Sequence, residues 1–406
     1  MRQVLSWWVR VLAILSLFTV GRMVHGATLS WTNLAGGVWN AATNWSPNAI
    51  PVTGDTALIT NAGTYTVTIG TAVTVANLVA GSNDDTNSTG VRTLTLNAGS
   101  LTVPNGTVHT NAALTLAGGT LTPGNLTVNG AFNWTGGALS GAGAMTVAAT
   151  GSLSISGASA KTLSQLQFFN SADGTWSGAG ISASSGALFV NAGNLSLNGD
   201  FSFATAGGAQ PQFVNNFNLT KASGSGQFLL SGVSFVNNYA LLINTGTVAM
   251  TSCTASNFGG LYLDSSAFLD LNAGTTLAFG GFLVSPAADH VRIQGATVNL
   301  TTTNLTTPSL LLSSGTLNQN TNATVNTLNQ AGGVWRLNVP TAINAYNLTN
   351  GELRGANVTI SNFNWLAGSL NAENAGSNQV TIPLGGTANV FGAGAKQMSD
   401  YSGANV

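Results

Sequence analysis

The sequence predicts an all-β chain: a right-handed parallel β-helix (β-solenoid) with rungs of about 20 residues and a Trp-rich N-terminal cap. Three observations carry that expectation. Lys and Arg number 10 and Asp and Glu 11 among 406 residues, far below the usual charged fraction of about a quarter, so long amphipathic helices would lack the charges that wet their outer faces. Gly alone supplies 51 residues, and with Thr, Ser and Asn it suits strands and tight corners, because β-branched Thr packs on a pleated surface and Gly and Asn accept left-handed backbone. Short apolar segments also recur at a nearly constant interval, each closed by Gly or Asn.

Residues 1–26 differ from all that follows. Arg2 and Arg10 flank a short aromatic stretch, then come VLAILSLFTV and GRMVHGA: a basic region, an apolar core and small residues, the pattern of a signal peptide cleaved near Gly26 or Ala27. The apolar core falls short of the about 20 residues of a membrane span, and no second long apolar run follows. Loss of Arg2, Arg10 and Arg22 leaves 7 basic against 11 acidic residues, a net charge of −4. That balance implies neither nucleic acid nor an anionic membrane as a partner. A secreted or cell-surface location is expected.

Residues 27–80 read as the cap and first strands. LSWTNLAGGVWNAATNWSPNAIPVTGDTALITNAGTYTVTI (29–69) gathers Trp31, Trp39, Trp45, Pro51 and Asp55. Large rings can cover the exposed core of a first rung, a need that every solenoid has; a sugar-binding platform is the alternative use of three tryptophans. Residues 81–92 are a polar loop, in which Asp84 and Asp85 are candidate calcium ligands. A solvated loop between the cap and the coils is the preferred account of them, since the spacing of a calcium loop is missing.

Residues 93–344 are expected to form the repeat array. Its first segments are LTL (94–96), LTL (114–116), FNW (132–134) and LSI (153–155), and its second LTV (101–103), LTP (121–123) and ALS (138–140). A third series passes through Val108, LTV (126–128) and MTV (145–147). Three short strands per turn bury Leu on Leu between rungs and leave Thr, Ser and Asn outside, with Asn able to form amide ladders. An antiparallel sandwich array also uses short strands, but its unit is about 100 residues. About 380 mature residues in such rungs, stacked at about 4.8 Å, would make a rod about 90 Å long. From 165 to 260 the recurring phrase is Phe-(Phe or Val)-Asn, which places Phe168, Phe189, Phe213 and Phe235 inside as a column. The one cysteine, Cys253, cannot form an intrachain disulfide and reads as a small buried residue.

Residues 345–406 read as the start of a second copy of a larger unit, cut short. LAGGTLTPGNLTV (116–128) aligns with LTNGELRGANVTI (348–360), Trp134 with Trp365, and SGASAKTLS (156–164) with FGAGAKQMS (391–399), pairing Lys161 with Lys396. An open last sheet edge then makes end-to-end self-association an expectation.

Titratable groups are scarce. ADHVRI (288–293) gathers Asp289, His290 and Arg292, candidate catalytic residues of a polysaccharide lyase-like site, with His290 and Arg292 on one strand face and Asp289 on the other. No HExxH, GxSxG, paired cysteines, P-loop or dinucleotide fingerprint stands in a context that gives it meaning, so no cofactor is expected. With GVWNAATNW (37–45) followed by PVTGD (51–55), the chain resembles secreted bacterial β-helix proteins of the autotransporter-passenger and filamentous-haemagglutinin-like kind, in which an opening of the form W-x-G-x-W-x-x-x-x-N-W and a later P-x-x-G-D follow the signal peptide. That resemblance implies adhesion or surface display, with glycans or other cell-surface components as partners. A non-enzymatic, adhesin-like solenoid is therefore the leading expectation, and a carbohydrate-active or glycan-binding β-helix the alternative.

Overall fold

The structure, a computed structural model, describes residues 26–82, 90–303, 305–322, 325–372 and 379–399. These form a β-solenoid of about 15 turns with rungs of about 21 residues. At about 4.8 Å per rung the body is about 70 Å long, shorter than the 90 Å expected, because the rungs run longer and the opening residues make the cap. Among the described residues no helix is long and apolar enough to cross a membrane.

Each turn carries three parallel ribbons, as the three sequence series anticipate. In the first, Leu94, Leu114, Phe132 and Leu153 are successive partners. In the second they are Leu101, Leu121, Leu139 and Leu163, and in the third Leu126, Met145 and Phe168. All of these side chains are buried. Alternation puts their neighbours outside, so one outer column of the first ribbon reads Thr68, Thr95, Thr115, Asn133, Ser154 and Thr175.

The expected phenylalanine column stands inside the third ribbon. Phe168, Phe189, Phe213 and Phe235 are buried, with successive ring centroids 5.0, 4.9 and 5.8 Å apart. Two residues on in each strand comes an asparagine that also points inward. Asn170, Asn191, Asn215, Asn237 and Asn257 form a buried amide ladder, each Nδ2 donating to the next Oδ1 at 3.1, 2.9, 2.7 and 2.6 Å. Because a buried amide without partners costs about 1–3 kcal/mol, each Nδ2 also donates to backbone: Asn170, Asn191, Asn215 and Asn257 reach the carbonyl two residues on. Val147 lies under the first amide and Phe279 over the last, closing the ladder.

The tryptophan-rich opening is a cap. Trp31, Trp39 and Trp45 are buried, with Trp45 set edge-on against Trp31 at 5.2 Å and Trp39 at 4.7 Å. Trp45 Nε1 donates to the Trp39 carbonyl, and Thr28–Trp31 pairs antiparallel with Trp45–Ser46 before the parallel ladders begin. Rings buried in this way cannot serve as a sugar platform. Asp55 accepts from the Ala27 and Val52 amides, tying the entry of the chain to the cap. Arg92, fully buried, donates to the carbonyls of Asn61, Gly90 and Thr60.

The segments matched at an offset of about 235 residues sit on neighbouring ribbons. Leu121 belongs to the second ribbon, whose later members include Leu312, Gln330, Leu348 and Trp365. Its sequence match, Leu353, pairs with Trp335 and through it with Leu317 and Val298 of the third. Trp134 lies in the first ribbon and its match Trp365 in the second. The similarity therefore carries the chain round the axis by one ribbon as well as along it.

Candidate functional site

Asp289, His290 and Arg292 find their partners on different rungs. Arg292 Nε and Nη2 donate to Asp270 Oδ1 and Oδ2 at 2.5 and 2.8 Å, and its guanidinium stands 4.2 Å from the centroid of the Phe268 ring. His290 is nearly buried and lays its imidazole 4.4 Å from the same ring, so the expected shared face of His290 and Arg292 is the face of Phe268. Asp289 turns to the following rungs. Its backbone is left-handed (φ 59°), and its carboxylate accepts from Ser309 Oγ at 2.5 Å and from Asn329 Nδ2 at 2.8 Å. Asn329 then heads an outer amide column through Asn347, Asn364 and Asn389.

This arrangement is suited to holding rungs in register. Arg292 is neutralised by a bidentate carboxylate, and Asp289 is committed to two hydrogen-bond donors. Asp270 is not legible in the sequence as a partner, because its link to Arg292 is a rung-to-rung contact across 22 residues. Asp84 and Asp85 lie outside the described residues. Among the described residues no group of three or more His, Cys, Asp or Glu could hold a metal ion. Cys253 is buried as expected, its Sγ donating to the Leu230 and Thr251 carbonyls; burial raises its thiol pKa, which makes it a poor nucleophile.

A second feature went unread in the sequence: an exposed aromatic patch on the first ribbon. The outer column that begins as Thr and Ser continues through Ser196 and Thr220, then turns apolar at Leu242, Tyr262 and Val284 before returning to Thr306. The adjacent outer column runs Asn218, Ala240, Gly260 and Phe282. Phe217, Tyr239 and Phe258 join from the corner. Phe217 and Tyr239 stack with centroids 5.0 Å apart and planes 13° apart. Exposure is substantial, at 53% for Tyr239, 62% for Phe258, 42% for Tyr262 and 54% for Phe282.

The Tyr262 ring lies flat because glycine lies beneath it. A Cβ on Gly260 would stand 2.2 Å from the Tyr262 ring, so the absence of a side chain there lets the tyrosine fold down onto the sheet. At Gly280 a Cβ would make only ordinary contact with the Phe258 ring, at 3.7 Å, so that ring would tolerate a side chain there. Polar groups border the patch: exposed amides Asn216 and Asn238 are bonded to each other at 2.8 Å, and Asn218, Asn194 and Asp173 form a row below. Above Val284 opens a groove of about 410 Å³ lined by Ser285, Pro286, Leu305, Thr306, Thr307, Pro308 and Asn326.

The corner geometry explains both the aromatic exposure and its signal. Asn215 Nδ2 turns inward to bond the Phe217 carbonyl, which leaves the Phe217 side chain outside. An aromatic two places after a ladder asparagine, as in FVNNF and FVNNY, is thus an outward ring, whereas the Phe two places before it is core. Compared with family models, curated proteins and solved structures, the chain finds no match.

Proposed function

We propose that the protein is an exported, non-enzymatic structural β-solenoid that acts in the manner of an adhesin, holding a long uncharged surface away from the cell. The observation that carries this reading is the fate of the charged groups. Arg92, Lys161 and Lys221 are fully buried or nearly so and spend their donors on chain carbonyls, with Asp200 added for Lys221. Arg292 is bound to Asp270 and Arg354 to Glu352. What faces solvent over most of the rod is neutral Thr, Ser and Asn in columns. Such a surface suits reach and display better than proton transfer, which calls for titratable groups gathered about one point.

The signal-like leader, with its basic start and short apolar core, supports export, and the resemblance to autotransporter-passenger and haemagglutinin-like repeats supports display. A protease-shaving experiment on intact cells producing the full chain tests the reading. Loss of the protein from intact cells is the expected result; protection until the envelope is broken would sink it. Incubation with pectic and other acidic polysaccharides tests the non-enzymatic part, with no unsaturated product expected.

A further inference from the structure

We infer that the outer face of the first ribbon from Phe217 to Asn326 binds a neutral polysaccharide laid along the solenoid axis. The inference rests on the display reading above and names the ligand class that the displayed surface takes.

Apolar surface gathered in one place on an otherwise polar rod calls for an occupant. Tyr262 lies down over Gly260, which leaves one ring face to the solvent, the geometry that packs against the C–H face of a sugar ring; Phe217 and Tyr239 stack on each other beside it, and Phe258 and Phe282 are more than half exposed. Their surroundings are hydroxyls and amides: Thr220 and Asn218 on one side, Thr306, Thr307, Ser285 and Asn326 in the groove on the other. Ser285 and Thr307 are buried and already donate to the Ala287 and Ser309 carbonyls, so Thr220, Thr306, Asn218 and Asn326 are the groups placed to meet sugar hydroxyls, and such a mixture of aromatic floor and few polar contacts is characteristic of small-ligand and glycan clefts. No Lys, Arg, Asp or Glu lines the groove. Two carboxylates stand near the patch: Asp264, exposed two residues after Tyr262 on the same outer side, its Oδ1 accepting from the Ser265 amide, and Asp173 at the end of the bordering amide row, accepting from Asn194 Nδ2. Carboxylates at the rim accept from hydroxyls and repel an acidic polymer, so the ligand is neutral.

Shape and size favour a linear polymer over a protein. The rings follow one another rung by rung, spaced like the about 4.8 Å strand repeat, and the groove continues the same line. Their exposed area is on the order of 500 Å² at about 200 Å² per aromatic side chain, below the about 800 Å² per partner of a stable protein interface. A narrow strip of this kind fits a chain of sugars lengthwise.

The test is affinity electrophoresis of the full chain through gels containing a mixed-linkage β-glucan, a glucomannan or a xyloglucan, with polygalacturonate as the acidic comparison. Retardation in at least one neutral gel is expected, weakened about tenfold by Tyr262→Ser, the weight of one aromatic contact. Gly260→Ala is the second variant. Gly260 has no positive φ, and the new methyl would meet the Tyr262 ring rather than backbone, so it lifts the ring while leaving the ladder intact and should weaken binding in the same direction. Migration unchanged in every neutral gel, retardation in polygalacturonate alone, or equal retardation of wild type and both folded variants would overturn the site. A concentration-dependent dimer in sedimentation that Tyr262→Ser dissociates would assign the patch to a second copy instead. Failure of cell-surface shaving with retained gel binding would reject display and keep the site; the reverse pattern would reject the site and keep display.

Discussion

Asn191 donates its Nδ2 hydrogen to Oδ1 of Asn215 at 2.9 Å, inside a wall where both residues are fully buried. The amides fix register because each asparagine is saturated only when its neighbour one rung away is level with it. Asn215→Ala removes a donor and an acceptor from the middle of that run, leaving Asn191 short of a donor target and Asn237 Oδ1 short of its donor. The expected loss is about 3 kcal/mol, seen as a lower midpoint in urea unfolding of the full chain. A midpoint within error of wild type would mean that water replaces the ladder at no cost.

Phenylalanine provides an internal control on what lies inside. Phe189 is fully buried between Phe168 and Phe213, its ring also against Trp176 and Phe203. Phe282 is more than half exposed on the outer face. Phe189→Ala should therefore cost about 4 kcal/mol through lost burial and a cavity, and Phe282→Ala less than about 1 kcal/mol. Thermal unfolding of the two variants checks the contrast, and similar losses would contradict the assignment of faces.

Much of this was readable from the chain itself. Glycine recurs at corners such as Gly99, Gly119 and Gly137 because the backbone there is left-handed, whereas among the described residues no asparagine takes positive φ; the period near 20 and the Leu-on-Leu stacking still follow from composition and spacing. The inward Phe column was readable for the same reason. The outward rings were not, since the same residue type serves both roles and only the inward turn of the ladder asparagine separates Phe213 from Phe217. The partner of Arg292 was equally hidden: Asp270 sits in an unremarkable LDLN, and nothing local marks it as one rung below. The one-ribbon rotation of the long repeat was also invisible, because an alignment reports which residues match and not which wall they stand on.

Lys221 and Asp200 make stability depend on pH in the acid range. Lys221 Nζ is fully buried and donates to Asp200 Oδ1 at 2.9 Å and to the carbonyls of Ser223 and Gly224. That bond, with the Gly226 amide, holds the Asp200 carboxyl below its ordinary pKa of 3.8 against the smaller opposing effect of burial. A folded-state pKa depressed in this way contributes stability that is present above the unfolded value and lost as pH falls through the folded one. The unfolding midpoint of wild type should exceed that of Asp200→Asn at pH 7, and the gap should close below about pH 4. A gap that stays constant down to pH 2 would show that the carboxylate charge is not what Lys221 uses.

The two copies of the lysine turn separate local geometry from burial. Lys161 Nζ donates to the carbonyls of Gly157 and Ser159, and Lys396 Nζ to those of Gly392 and Gly394, all at 3.1 Å. The G-A-x-A-K phrase thus builds the same turn twice, on the second ribbon at Lys161 and the third at Lys396. What differs is the cover. The Lys161 strand is followed by Ile181–Ser184, its side chain is buried, and burial lowers its pKa; Lys396 is only partly covered. Removing a buried stem loses packing as well as two hydrogen bonds, so Lys161→Ala should cost about 2 kcal/mol and Lys396→Ala no more than about 0.5 kcal/mol. Urea unfolding of both variants decides the matter: equal losses would mean that the turn's own hydrogen bonds set the cost, and a loss confined to Lys161 would locate it in the rung packed above.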